Sequence, residues 1–152
     1  MKLKLFAATL LPLLASAAPL PQLRIEPITG GSIFYVKNVS SQPLTGFLIE
    51  LVDYPGSQYA LWEDDVLEPV APGQEKRIQV GNMTVGAVPD YVKVQAAIYA
   101  DGSTAGIAEK ITQFKERRRL KLQTVREMIA HLANHSAEET LAWLRTWEKG
   151  LE

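Results

Sequence analysis

The chain has 152 residues, 16 basic and 17 acidic side chains for a net charge of −1, and no cysteine. Without cysteine, a disulfide scaffold, thiol catalysis and thiolate metal sites are excluded. A charge near zero argues against nucleic acid, which requires a concentrated positive surface.

In chain order, the first element reads as a secretory signal peptide over residues 1–17. Lys2 and Lys4 supply a positive start, Leu5 to Leu14 an apolar run, and Ala15-Ser16-Ala17 the small-x-small cleavage pattern. That run is well short of the roughly 20 residues a membrane-crossing helix needs, so no transmembrane segment is expected after cleavage. With no cysteine, the expected destination is the bacterial envelope or the medium, periplasmic or secreted, and residues 18–22 read as a short linker.

Residues 23–103 carry strand signals. Ser32 to Asn38, Leu44 to Asp53, Tyr59 to Glu63, Glu75 to Val80 and Tyr91 to Ala100 are β-branched and aromatic runs bounded by Gly, Pro, Asn and Ser. Leu23 to Glu26 adds an edge strand ended by Pro27. Leu44 to Val52 is apolar on both faces except at Glu50, which predicts a central strand covered on both sides. In the last strand Val92, Val94, Ala96 and Ile98 alternate with Tyr91, Lys93, Gln95 and Tyr99, predicting one buried face and one partly wet. Strands spaced about every ten residues predict an immunoglobulin-like antiparallel β-sandwich.

Residues 104–152 form a helical extension, making the fold class α+β. At 100° per residue Ile107, Ile111, Phe114, Leu122, Val125, Ile129 and Leu132 fall within an arc of about 80°, the stripe of an amphipathic helix over about 104–133. That helix outruns a small sandwich, so its far half is expected to bury its stripe against a second helix over about 137–149. Ser136-Ala137-Glu138-Glu139 is a capping box for that second helix, and Asn134-His135 is the bend of the resulting hairpin. Charge is asymmetric: Ala18 to Thr104 holds five basic residues against ten carboxylates, Ala105 to Glu127 seven against three. An acidic first part joined to a basic second part predicts contact between them.

The stretch Asn38 to Asp53, with Ser40-Ser41-Gln42-Pro43-Leu44-Thr45-Gly46-Phe47 inside it, and Val92 to Ser103, ending in Ala100-Asp101-Gly102-Ser103, resemble those of uncharacterised exported bacterial proteins. In that family a small immunoglobulin-like sandwich strand ending in an Ala-Asp-Gly turn feeds an Arg-rich helix. The resemblance covers about residues 30 to 120 and implies a fold without an activity.

Three groups are candidate sites. Arg117, Arg118 and Arg119 are the strongest charge cluster, and Arg118 falls in the middle of the apolar stripe. Its guanidinium must emerge into water on its alkyl stem, pair with the acidic Glu63 to Glu68 segment, or join a basic surface for anionic lipid or polymer. Tyr54, Tyr59 and Trp62 form an aromatic platform suited to a sugar ring, or else pack in the core. Glu127, His131 and His135, spaced by four, offer one carboxylate and two imidazoles to a metal, but Ser136 as N-cap leaves His135 outside both helices. They therefore read as exposed histidines at a helix end, and no metal or cofactor is expected. Trp143 and Trp147 share one face of the second helix. Asn38-Val39-Ser40, Asn82-Met83-Thr84 and Asn134-His135-Ser136 match the glycosylation pattern, which has no meaning for a bacterial protein.

No nucleophile elbow, phosphate-cradling loop or His-Glu-x-x-His helix is present. The expected function is a non-catalytic module binding another envelope or secreted protein. A carbohydrate-binding module is the alternative, and an orphan hydrolase comes last.

Overall fold

The computed structural model describes residues 18–55, 58–81 and 89–149, without side-chain detail at 89 and 147–149. The expected signal peptide, Asn82 and the Trp147 side chain lie outside what is described. Seven strands precede two helices: β1 (Gln22–Ile28), β2 (Gly31–Lys37), β3 (Leu44–Leu51), β4 (Ala60–Asp64), β5 (Glu75–Gly81), β6 (Val92–Tyr99), β7 (Thr104–Gly106), α1 (Ala108–Asn134) and α2 (Ala137–Lys149). They form two antiparallel sheets, β1-β2-β5 and β4-β3-β6-β7.

The sheets share one core. Phe34 and Val36 of β2 meet Leu44, Phe47 and Ile49 of β3 and Val92, Ala97 and Tyr99 of β6. Leu48, Ala96 and Ile98 point from the opposite face of the four-stranded sheet, where Phe114 of α1 covers them with Trp62 and Ile111 alongside. β3 is thus central and sealed on both sides, as its two apolar faces required. The three-stranded sheet keeps a wet outer face, on which Arg24 lies 3.7 Å above the Tyr35 ring. Tyr99 is anchored by donating its hydroxyl to the Pro19 carbonyl, and burial pushes its pKa up to about 12.

β6 departs from simple alternation. Its pairing with β3 passes from Leu48↔Ala96 to Ile49↔Val94, skipping Gln95. This β-bulge reverses the sidedness of the strand, so Val92 and Val94 face the inter-sheet core before it and Ala97 and Tyr99 after it. Ala96 and Ile98 then fall on the side that α1 covers, and the second half of β6 is buried on both faces. The expected wet face is therefore confined to the strand's start, at Lys93.

Three boundaries also differ from the expected ones. β1 runs through Pro27, which an edge strand tolerates because it has a neighbour on one side only. The linker ends a residue earlier than expected: Gln22 is already in β1, and Ala18 packs against the core. Thr104–Gly106 is a second antiparallel partner for β6, beside β3, rather than the first turn of a helix. Strand conformation thus persists past Gly102, and α1 starts at Ala108. Gly106 explains why: its φ is +109°, and a Cβ there would overlap the Gln95 carbonyl oxygen and lie 2.9 Å from Ala96 Cα. The same Gln95 carbonyl accepts the Ile107 N–H at 2.9 Å, so the bulge fixes where the helix departs.

Ser136 caps α2 as expected. Its N–H donates to Glu139 Oε2 at 2.8 Å while the Glu139 N–H donates to Ser136 Oγ at 3.2 Å. The Ser136 N–H and the Ser136 hydroxyl both donate to Glu139 Oε2 and hold its carboxyl below its usual range. The two helices meet at their shared end: His131 lies 3.0 Å from the Thr140 hydroxyl and stacks on Trp143 with centroids 4.5 Å apart. This contact does not bury the stripe. On the far half of α1 the half-buried positions are Thr124, Met128 and His131, about 80° to 140° round the helix from the middle of the stripe. Leu122, Val125, Ile129 and Leu132 stay 48%, 43%, 61% and 50% exposed.

Candidate functional site

The near half of α1 is fixed to the β4-β3-β6-β7 sheet. Phe114 is fully buried, and its ring meets Trp62 edge-on at 5.3 Å. Gly46 of β3 makes the approach possible, because a Cβ there would lie 2.7 Å from Phe114 Cζ, 2.9 Å from Arg118 Nη2 and 3.0 Å from the Glu63 carbonyl oxygen. Two ion pairs flank this contact. Lys110 Nζ is 2.8 Å from Glu50 Oε1, which accounts for the single carboxylate of β3. Arg118 donates Nε and Nη2 to Asp64 Oδ1 at 2.9 and 2.6 Å, and Nη2 also reaches the Thr45 carbonyl at 3.2 Å. The interior position of Arg118 in the stripe is thus answered by pairing with the acidic segment.

That segment is otherwise engaged with the opposite sheet. Lys76 of β5 lies 2.8 Å from Glu63 and 3.0 Å from Asp65, joining the edges of the two sheets. The Lys76 ammonium holds the Asp65 carboxyl below its ordinary range. Alternation along β4 sends Glu63 and Asp65 one way and Asp64 the other. The residue order therefore ties one strand to both a sheet and a helix.

The three arginines take three directions, about 100° apart on the helix. Arg117 lies over the Trp62 ring at 5.6 Å, Arg118 enters the Asp64 pair, and Arg119 pairs with Glu116 at 2.7 Å on the surface. They do not converge as an anion site. Nor do the aromatics form one surface. Tyr54 meets Tyr91 at 5.5 Å, Tyr59 meets Phe34 of the inter-sheet core at 6.4 Å, and Trp62 meets Phe114 on the opposite side of β4. Tyr59 and Trp62 are three residues apart, and in an extended chain an odd separation gives opposite faces.

His131 and His135 stack on each other with centroids 4.0 Å apart, and His135 Nδ1 donates to the His131 carbonyl at 3.1 Å. Glu127 instead accepts from Gln123 at 2.9 Å, so the three do not assemble as ligands. Asn38 is fully buried, donating to the Gln42 and Val70 carbonyls at 2.8 Å each, so its amide is an internal brace.

The surface that remains is on the far half of α1. Beside Leu122 and Val125, the loop after β4 raises Val66 and Leu67, which are 56% and 94% exposed. With Asp64, Asp65, Arg118 and Lys121 these residues line a mainly apolar groove of about 470 Å³. Val66 and Leu67 were hidden in the sequence by the carboxylates around them; two adjacent apolar residues before Pro69 were the available signal. The described residues contain no helix long and apolar enough to cross a membrane.

Comparison with protein-family models, with curated proteins and with solved structures finds no match to this chain.

Proposed function

We propose that the chain is an exported, non-catalytic interaction module of the bacterial envelope or extracellular space, which holds a second protein on the outer half of α1. The observation carrying this reading is the continuous row Leu122, Val125, Ile129 and Leu132, left exposed beside Val66 and Leu67 although α2 packs against the same helix. Contiguous exposed apolar surface rimmed by polar residues marks a place where another molecule binds. Export is supported by the Lys-rich start, apolar run and Ala-x-Ala pattern of the first 17 residues. An immunoglobulin-like body is supported by seven antiparallel strands in two facing sheets, with β2 at the centre of one and the β3-β6 pair at the centre of the other. The two helices extend that body as a hairpin closed by the His131-Trp143 stack. A non-catalytic role is supported by the engagement of Glu50, Glu63, Asp64 and Asp65 with cations that hold the fold together.

The test is affinity capture from crosslinked envelope with the native chain and with Val125→Asp/Ile129→Asp. Both positions are exposed, so each change should alter stability by no more than about 0.5 kcal/mol. A protein recovered with the native chain and lost with the variant, at unchanged melting temperature, is the expected result. The same proteins recovered with both would refute the assignment of this surface.

A further inference from the structure

We infer that the occupant of this surface is an amphipathic helix whose apolar ridge is flanked by carboxylates. The inference rests on the interaction reading above and names the chemistry of the partner. Three observations on α1 carry it.

The first is spacing. Leu122, Val125, Ile129 and Leu132 follow one another by three, four and three residues and occupy an arc of about 80°, the narrow seam of one helix packed along another. A helix that lies in a bilayer surface presents a broader apolar face. The second is shape. Val66 and Leu67 stand beside Leu122 and Val125, making the start of the seam a groove with two walls. A helix ridge enters such a groove, whereas a planar lipid surface meets only its rims.

The third is charge. Lys121 lies at about −40° and Arg126 at about 100°, one just outside each edge of the seam, while Glu109, Glu116 and Glu127 all fall at about 180° to 200° on the back of the helix. Among the described residues Lys121 and Arg126 take part in no ion pair, whereas Lys110, Arg118 and Arg119 are each matched to a carboxylate. Positions flanking a helix seam select the partner by opposite charge.

The same pattern disfavours a second copy. A parallel pair would set Lys121 against the other copy's Arg126, and an antiparallel pair would set Arg126 against its own mate.

Two synthetic helical peptides test this directly. Both carry Leu and Ile at the same three-four spacing; one is flanked by glutamate, the other by lysine. Fluorescence anisotropy with the full chain should show the glutamate peptide binding at least about tenfold more tightly, with the difference shrinking as salt rises. Val125→Asp/Ile129→Asp should abolish binding, and Lys121→Glu/Arg126→Glu should reverse the preference. Equal binding of the two peptides, or no binding of either, overturns the partner chemistry, while the capture experiment above still decides whether the surface binds protein. A dimer in sedimentation that the Asp variant dissolves, or Asp-sensitive binding to phosphatidylglycerol vesicles, overturns it by identifying another occupant.

Discussion

Gly106→Ala is expected to lower the free energy of unfolding by about 2–5 kcal/mol, or to abolish soluble folding. Two costs meet at this residue. A φ of +109° is a conformation that side chains disfavour, by about 1–2 kcal/mol at positive φ generally. The added methyl would also overlap the Gln95 carbonyl, and forcing extra volume into a packed site costs about 1–3 kcal/mol more. That carbonyl accepts the Ile107 N–H, so its displacement also disturbs the start of α1. Gly102 provides the control. Its φ is +83° and nothing lies within 4 Å of a Cβ built there, so Gly102→Ala should show the backbone cost alone. Urea denaturation of both variants separates the contributions. Equal losses would mean that close packing of β7 on the bulge contributes nothing.

The second large effect is at the helix-sheet contact. Phe114→Ala should cost about 3–5 kcal/mol, because a fully buried ring is replaced by a cavity between Leu48, Ala96, Ile98 and Trp62. Gly46→Ala should cost about 2 kcal/mol by forcing a methyl against Phe114 Cζ and the Glu63 carbonyl. The two changes touch the same space, so their effects are not additive. Adding Gly46→Ala to Phe114→Ala should cost clearly less than Gly46→Ala alone, since the obstructing ring has gone. Additive losses would show that Gly46 is not where α1 seats on the sheet.

Much of this architecture is legible in the chain. The two apolar faces of β3 required cover on both sides, and the cover is the second sheet and Phe114. The excess of carboxylates before residue 104 and of cations after it anticipated the contact of the two parts, which the structure resolves into Arg118 with Asp64 and Lys110 with Glu50. The capping box at Ser136 announced α2 from four residues, because its hydrogen bonds are local.

Other features depend on partners that a linear reading does not place. The bulge at Gln95 is invisible in a strand whose residues alternate plausibly without it, since it is defined by β3 across the sheet. β7 is three residues long, too short to display a period, and Gly106 belongs to it through a backbone angle and a close approach. Periodicity located the stripe of α1 but not its cover. Phe114 and Leu132 sit at the same angle on the wheel, yet one is sealed by Leu48, Ala96 and Ile98 of the sheet and the other stays exposed. The separation of Tyr59 from Trp62 was accessible to parity along the strand.

On one face, α1 has a half docked on the sheet and a half left exposed. Because the chain contains no cysteine, each single introduced thiol reports on one position without interference. Maleimide labelling of Ile111→Cys, Leu122→Cys, Val125→Cys and Ile129→Cys under native conditions measures the break directly. The thiol at 111 should react at least about tenfold more slowly than the other three, which should approach the rate of the unfolded chain. Protection extending uniformly through position 129 would show the far seam covered within the molecule, and uniform rapid labelling from 111 onward would show a helix that is not seated on the sheet; either result rules out a helix docked over one half only.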